Sequence, residues 1–119
     1  MLAPSKTNPY FLTASGLLRS LDRLREMHPD MTVLQAMTFF WVAQNPGSTQ
    51  RLLPEAIGAS DSVTARTLAI LTKVGGRNVP PLDLVVSTVH PTDRRERILD
   101  LTPKGRDVMD DILRDLSKP

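Results

Sequence analysis

Two short helical segments that meet at a glycine leave this sequence few folds to choose from. Residues 49–57 (TQRLLPEAI) are a short helix candidate that ends at Gly58, and Ser60 is placed to cap a second helix from about Asp61 to Val74. Glycine tolerates the left-handed backbone of a tight turn, which most residues avoid. The pattern therefore predicts a helix-turn-helix.

Pro54 lies inside the first of these segments. A proline in a helix interior costs about 3 kcal/mol, because it removes one hydrogen bond and its ring clashes with the preceding turn. We therefore expect this helix to begin late, near Leu53.

A β-hairpin is predicted directly after the helix-turn-helix. Residues 82–89 (LDLVVSTV) are aliphatic and β-branched, and residues 95–101 (RERILDL) show an alternating pattern. Between them, residues 90–93 (HPTD) favour a turn, since Pro91 fixes its own φ and its neighbours can hydrogen-bond nearby backbone. A helix-turn-helix followed by a hairpin with arginines at its tip is typical of a winged helix.

Further helices are predicted on both sides of this unit. Leucines recur at helical spacing in residues 11–27, with arginines on the other face. A second helix begins at Thr32, which forms a Thr-x-x-Gln capping box. Thr102-Pro103 starts the last helix, because threonine can cap and proline supplies helical φ. The apolar face of the second helix is predicted to contain Leu34, Met37, Phe40 and Trp41.

Length and composition indicate one small domain. The chain has 119 residues, of which 40% are hydrophobic and 24% charged. We expect residues 1–10 to be a flexible lead-in and residues 11–117 to form a mostly α-helical domain with a small β-hairpin wing. Residues 49–101 would form the helix-turn-helix and wing. No apolar run approaches the roughly 18 residues of a membrane span, so the sequence predicts a cytoplasmic protein.

The sequence contains no recognisable pattern of catalytic or metal-binding residues. Cysteine is absent, and the only histidines, His28 and His90, are far apart. The sequence therefore predicts neither an enzyme nor a cofactor or metal site. The net charge is only +2, so binding to nucleic acid would depend on where the charges lie.

Several motifs resemble those of the MarR (multiple-antibiotic-resistance regulator) family. Residues 31–35 (MTVLQ) are similar to its Leu-Thr-x-x-Gln helix opening, and residues 49–71 follow its helix-turn-helix pattern. Residues 93–95 (DRR) and 101–105 (LTPKG) resemble its wing signature, Asp-x-Arg followed by Leu-Thr-x-x-Gly. The resemblance, over about residues 31–106, implies a homodimeric transcription regulator, a repressor that binds a palindromic operator in double-stranded DNA.

The candidate DNA-binding residues lie on the second helix of the helix-turn-helix, around it and on the wing. Side chains near a helix N-terminus can reach base edges in the major groove, where Val63 and Ala65 offer apolar contacts to thymine methyl groups. The resemblance implies that Asp93 orients Arg95 on the wing. The predicted set is Gln50, Ser60, Ser62, Val63, Ala65, Arg66, Thr67, Lys73, Arg77, Arg94, Arg95 and Arg97.

Structural roles stay open for some of these residues. Arg94 and Arg95 can equally be solvated charges paired with Asp93 and Glu96, and Arg66 can form a structural ion pair. A second function class also stays open, in which a winged-helix interaction module uses its second helix and the long loop of residues 75–81 (GGRNVPP) to bind a protein partner.

Two leucine-rich helical faces lie at opposite ends of the chain, without an obvious partner in so small a domain. A two-fold dimer would bury both faces and place two reading helices about 34 Å apart, matching successive major grooves. The predicted dimerisation residues are Leu17, Leu18, Leu21, Leu24, Val108, Ile112, Leu113 and Leu116.

The second predicted helix admits two interpretations. Met37, Phe39, Phe40 and Trp41 can line a pocket for a small aromatic effector, as the resemblance suggests, or they can form core, as helical apolar stripes usually do.

Overall fold

The computed structural model describes residues 8–117, which form five α-helices and a three-stranded antiparallel sheet. In chain order the elements are α1 (Phe11–Met27), α2 (Val33–Gln44), β1 (Ser48–Thr49), a 3₁₀ turn (Gln50–Leu52), α3 (Leu53–Ile57), α4 (Asp61–Leu71), β2 (Val85–Val89), β3 (Arg97–Leu101) and α5 (Pro103–Ser117). This is the predicted mostly helical fold with a small wing. Most of the predicted lead-in, residues 1–7, lies outside the described residues. No helix among residues 8–117 is long and apolar enough to cross a membrane.

The helices at the two ends of the chain, α1 and α5, pack against each other. Gly16, Ser20 and Leu24 form the buried side of α1. A Cβ atom at Gly16 would lie 2.9 Å from the carbonyl oxygen of Asp115, so the two backbones approach too closely for a larger residue.

Asp115 is the polar centre of this contact, with a side chain only 7% exposed. Nε and Nη2 of Arg23 donate to its carboxylate at 3.1 and 3.0 Å, and Nη2 of Arg19 donates to its carbonyl oxygen at 2.7 Å. A carboxylate removed from water needs such donors. The ion pair therefore holds α1 and α5 in one relative position.

The expectation that both leucine faces lack a partner within the chain is wrong. Leu24, Val108 and Ile112 are buried in the core of the single chain, so they cannot be reached by a second copy. The buried side of α1 is completed by Gly16 and Ser20, which leucine spacing alone does not identify. The predicted dimerisation residues that remain exposed are Leu17, Leu18, Leu21, Leu113 and Leu116.

The main core lies where α2, α3 and α4 meet the base of the sheet. The fully buried side chains there include Phe39, Val42, Leu53, Leu71, Leu84 and Leu99. The capping box of α2 is confirmed. Its predicted apolar face is correct for Leu34 and Trp41, which pack against the core, but wrong for Met37 and Phe40. Met37 and Phe40 are 45% and 37% exposed, whereas Phe39 and Val42 are buried. Because α2 is apolar almost all the way round, periodicity could not select its buried side.

The first helix of the helix-turn-helix begins late, as Pro54 predicted. Ser48–Thr49 pair with β3, and Gln50–Leu52 form a 3₁₀ turn, so that α3 begins only at Leu53, as Pro54 indicated. Pro54 lies in the first turn of α3, where its missing N–H has no intrahelical acceptor. Gly58 ends α3 with φ 68°, the left-handed conformation that the predicted tight turn requires.

The connection between α4 and the wing also differs from the prediction. α4 ends at Leu71 instead of Val74, and β2 begins at Val85 instead of Leu82. The amides on either side of Asp83 donate to the last two carbonyls of α4 at 2.9 and 2.7 Å. Asp83 itself has φ 54°, which a strand does not accommodate. This segment therefore closes the end of α4 before the strand can start.

The Leu-Thr-x-x-Gly step of residues 101–105 attaches α5 to the same segment. Oγ1 of Thr102 donates to the carbonyl of Asp83 at 2.6 Å and accepts from the amide of Gly105 at 2.9 Å. A Cβ atom at Gly105 would lie 2.1 Å from the carbonyl oxygen of Leu84. The threonine and the glycine of this motif thus have a structural role, because they fix the start of α5 beside the wing.

Candidate nucleic-acid interface

The exposed side of α4 is the first part of the candidate site. Ser60 caps the helix, since its Oγ accepts a hydrogen bond from the amide of Val63 at 3.2 Å. Ser62, Ala65 and Arg66 are exposed, and Arg66 forms no ion pair with any part of residues 8–117. The structural ion pair considered for Arg66 is therefore not formed within this range. The helix presents small and polar side chains beside one unpaired cation.

Thr67 does not share this side of α4. It is 7% exposed and lies with Thr64, Leu68 and Leu71 on the side that faces the core. Each helical residue is rotated by about 100° from the one before it, so Thr67 turns inward although Arg66 is exposed. The prediction that Thr67 contacts DNA is wrong. Val63 is half-buried at the margin of the exposed side.

A cleft of about 460 Å³ separates α4 from the wing. On the wing side, Ser87 of β2 pairs with Leu99 of β3, and Val89 pairs with Arg97. The lining of the cleft includes Ala65, Leu68 and Ala69 from α4 and Val85, Ser87 and Arg97 from the wing. Because the alanines are small, α4 and the wing together form a concave surface.

The wing tip is organised by two side chains. Nδ1 of His90 accepts hydrogen bonds from the amides of Thr92 and Asp93, both at 3.2 Å. Oδ1 of Asp93 accepts from the amide and Nε of Arg95 at 3.1 and 3.3 Å. Arg95 is still 91% exposed. The contact between Asp93 and Arg95 is the one that the family resemblance implies, and it leaves the guanidinium free to meet a partner.

Arg97 is held differently from the arginines at the tip. Its Nε donates to Oγ of Ser87 at 2.8 Å and its Nη2 donates to the carbonyl of Ser87 at 2.7 Å. Oγ of Ser87 in turn donates to Oε1 of Gln50 at 2.9 Å. Ser87 thus links two predicted DNA-binding residues that lie 47 positions apart in the sequence. Sequence reasoning missed it, because the signal depends on the register of the hairpin.

A second contact joins the wing to the helix-turn-helix. Nε of Arg51, just before α3, donates to Oε1 of Glu96 at 2.9 Å. The sequence left open a pair between Glu96 and Arg94 or Arg95. In the structure Glu96 pairs with Arg51 instead. Arg94 is exposed and forms no ion pair within the described part of the chain.

The remaining predicted cations lie at the other end of α4. Lys73 is exposed just beyond the helix and reaches the rim of the cleft. Arg77 is exposed in a tight turn in which Gly76 and Val79 exchange backbone hydrogen bonds at 3.2 Å. The structure thus places both residues on the C-terminal side of α4, away from Ser60 at its start.

The apolar side chains of α2 divide between the core and a surface cleft. Phe39 is fully buried and Trp41 packs against the core. Met37 and Phe40 instead line a surface cleft of about 380 Å³ between α1 and α2, together with Leu21 and His28. Among residues 8–117, no group of three or more acidic or histidine side chains could hold a metal ion.

A helix-turn-helix whose second helix is exposed beside a hairpin defines the chain as a winged-helix protein. No family model matches the sequence, and no curated protein matches it at a significant level. Its relationships are visible in solved structures.

RV1404 from Mycobacterium tuberculosis is 25% identical over 98% of this chain and 77% of its own, with a TM-score of 0.65. MarR is 25% identical over 86% of this chain and 74% of its own, with a TM-score of 0.58. MepR from S. aureus, in a complex with DNA, is 18% identical over 89% of this chain and 80% of its own, with a TM-score of 0.65. The resemblance to MarR-family winged-helix regulators is therefore confirmed by the structure.

Proposed function

We propose that this chain is a dimeric, sequence-specific regulator of transcription that binds double-stranded DNA and represses from a palindromic operator. The observation that carries the proposal is the exposed side of α4, with Ser62, Ala65 and Arg66, beside a wing that carries Arg94 and Arg95.

Each part of this surface suits one feature of B-DNA. The major groove is wide enough to admit an α-helix, and there Ala65 can contact a thymine methyl group while Arg66 reaches guanine or phosphate. The arginines of the wing can enter the adjacent minor groove, where A·T tracts increase the negative potential. α4 would thus supply most of the sequence preference.

Phosphate contacts would supply most of the affinity. We assign them to Ser60 at the start of α4, to Arg94 on the wing, and to Gln50 and Arg97 between the two. Lys73 and Arg77 would extend this positive surface beyond the C-terminal end of α4. Phosphate contacts fix the position of a protein on the duplex and carry little sequence information.

Dimerisation is proposed from the leucines that the chain leaves exposed. Leu17, Leu18 and Leu21 are 49%, 70% and 58% exposed on one side of α1. Leu113 and Leu116 are 63% and 47% exposed on α5, which packs against α1. An apolar surface of this extent is usually covered by a partner. A second copy of the chain would cover it and double the DNA contacts.

Solved structures of the same fold support the proposal. MepR is seen in complex with DNA, and PcaV from Streptomyces coelicolor and PA4135 are transcriptional regulators. PcaV is also seen with its natural ligand. For the present chain, the cleft between α1 and α2 is where we propose that an effector would bind, if regulation depends on one.

The first test is selection from a randomised duplex library, with sequencing of the retained DNA at two salt concentrations. We expect a palindrome whose half-sites lie about one helical turn apart. If about six phosphates are neutralised per dimer, the logarithm of the binding constant should fall with the logarithm of salt concentration with a slope near −5. Absence of enrichment together with a flat salt dependence would contradict the proposal and favour a protein partner.

The dimer has its own test in Leu18→Glu, measured by light scattering at micromolar concentration. A buried carboxylate without a partner is unfavourable, so we expect the variant to be monomeric and the unchanged chain to be dimeric. Glu26→Gln, an exposed change on the same helix, is the control and should stay dimeric. A monomeric unchanged chain would contradict the proposed dimer.

Repression is tested by transcription in vitro from a promoter that contains the selected palindrome. We expect the transcript to decrease as the chain is added, and to be unaffected on a template with a scrambled palindrome. An increase would instead make the protein an activator.

A further inference from the structure

We infer that Ser87 is a positioning residue for DNA binding, because it holds Gln50 and Arg97 as one preorganised pair beside α4. The inference rests on the proposed function, since it assigns to Ser87 a role in that same DNA-binding surface. Nothing in the sequence motifs pointed to Ser87.

The Ser87 hydroxyl acts both as a hydrogen-bond donor and as an acceptor. A hydroxyl group has one donor and two acceptor sites. Oγ of Ser87 donates to Oε1 of Gln50 at 2.9 Å and accepts from Nε of Arg97 at 2.8 Å, while the Ser87 carbonyl accepts from Nη2 of Arg97 at 2.7 Å. Two hydrogen bonds therefore fix the plane of the guanidinium, and one fixes the amide of Gln50.

The bonds to Ser87 leave defined donors for a partner. Within residues 8–117, neither Nη1 of Arg97 nor the amide nitrogen of Gln50 forms a hydrogen bond. Both side chains border the cleft between α4 and the wing, and both also border the neighbouring cleft of about 450 Å³ that contains Arg51 and Arg95. Ala65 of α4 lines both clefts as well. The pair thus stands between the two clefts, next to the proposed reading side of α4.

Preorganisation explains why the chain would use a serine here. A free arginine side chain has many rotamers, and immobilising it at an interface opposes binding. The contacts to Ser87 order the guanidinium before DNA arrives. Its remaining N–H groups can then meet a phosphate oxygen, for which the planar guanidinium has suitable geometry. Arg95 differs, since its side chain is 91% exposed and, among residues 8–117, accepts no restraint beyond its contact with Asp93.

The test compares Ser87→Ala, which removes the hydroxyl, with Ser87→Thr, which keeps it. In the free protein, nuclear magnetic resonance relaxation of the Arg97 Nε–H group reports whether the guanidinium is ordered. Fluorescence anisotropy with a labelled random duplex of about 30 base pairs, long enough for two half-sites one turn apart, reports DNA affinity. Thermal unfolding of each variant checks that the fold is retained.

We expect an ordered Arg97 guanidinium in the unchanged chain and in Ser87→Thr, and a mobile one in Ser87→Ala. DNA affinity should fall about fivefold in Ser87→Ala, as expected when one flexible side chain must be immobilised on binding. Ser87→Thr should bind as the unchanged chain does. In the Arg97→Ala, Gln50→Ala background, Ser87→Ala should cause no further loss, because its partners are already absent.

Three outcomes would overturn the inference, and they are distinguishable. Equal affinity of Ser87→Ala and the unchanged chain would show that the ordering has no role in binding, although the proposed function would stand. An additive loss in the Arg97→Ala, Gln50→Ala background would show that Ser87 acts by another route. Absence of salt-sensitive DNA binding by the unchanged chain would overturn both the inference and the proposed function, even if the Arg97 guanidinium were ordered.

Discussion

The α1 and α5 pair and the winged unit of residues 48–101 use leucine and arginine in opposite ways. In the pair, Arg23 is drawn into a contact with buried Asp115, while leucines such as Leu18 remain at the surface. In the winged unit, leucines such as Leu99 are fully buried, while arginines such as Arg95 are exposed. The exposed leucines of the pair and the exposed arginines of the wing thus lie on different parts of the molecule. The first suits contact with another protein surface, and the second suits contact with a polyanion.

The largest expected effect is on stability and comes from Gly105→Ala. This change disturbs the place where α5 begins, next to the winged unit. Because the added Cβ atom would lie 2.1 Å from the carbonyl oxygen of Leu84, the backbone must shift. We expect the free energy of unfolding to fall by about 3 kcal/mol, the upper part of the range for overpacking. Urea denaturation measures the change.

Asp107→Ala, an exposed change on the same helix, is the control for that experiment and should alter the unfolding free energy by less than about 0.5 kcal/mol. Equal stability of Gly105→Ala and this control would show that α5 does not depend on the close approach to Leu84.

A smaller effect is expected from Asp115→Asn, which tests whether a polar contact stabilises the α1 and α5 pair. Replacing the carboxylate leaves Arg23 without its best acceptor. Since Arg23 is 35% exposed and water can partly compensate, we expect a loss of about 2 kcal/mol, less than for a fully buried pair. Urea denaturation again gives the value.

Asp111→Asn is the matched control, because Asp111 also faces Arg23, at 3.5 Å, and pairs with the exposed Arg114, but is itself 35% exposed. A pair of this kind contributes less than about 1 kcal/mol. If the two variants lose equal stability, burial of Asp115 is not the source of its contribution.

The smallest effect should come from Arg66→Ala, which tests the exposed charge of the winged unit. Arg66 has no partner in the described chain, so its loss should leave the unfolding free energy nearly unchanged. Binding to a selected operator should weaken by about 1.5 kcal/mol, and preference should relax at one operator position if Arg66 reads a base. Anisotropy titrations with operator and single-position variants measure both quantities.

Arg114→Ala, on the exposed side of α5, is the control for DNA binding and should leave the affinity unchanged. A uniform weakening by Arg66→Ala on every DNA sequence would identify Arg66 as a phosphate contact. An equal loss of DNA affinity in Arg66→Ala and Arg114→Ala would show that only the net positive charge matters. It would contradict a specific role for α4.

Local signals in the sequence predicted most of the element order. The Thr32 capping box and Gly58 depend only on neighbours along the chain, and each is found as expected. The chain reversal of the hairpin is longer than the predicted residues 90–93, since the amide of Glu96 donates to the carbonyl of Asp93 at 3.0 Å and β3 begins only at Arg97. β1 was not predicted, because a strand of two residues has no periodicity of its own and exists only through pairing with β3. The end of α4 was misplaced because its last carbonyls are satisfied by the amides next to Asp83.

The sequence predicted which residue types form the candidate site more accurately than it predicted which side chains are exposed. Arg66, Arg94 and Arg95 are exposed as expected, whereas Thr67 faces the core. A run of polar residues on a helix does not show where the core boundary falls, since threonine is tolerated on either side of it. Ser87 was missed because it matters only through partners on other elements.

The sequence by itself determined the helix-turn-helix, the wing and its arginines, since caps, turns and alternation act over a few neighbouring residues. Only the tertiary structure decided which side of each helix is buried, that Asp115 receives Arg23, and that Ser87 joins Gln50 to Arg97. The physical reason is that these contacts link residues far apart in the chain. Their geometry depends on how helices and strands pack, which local free-energy preferences do not specify.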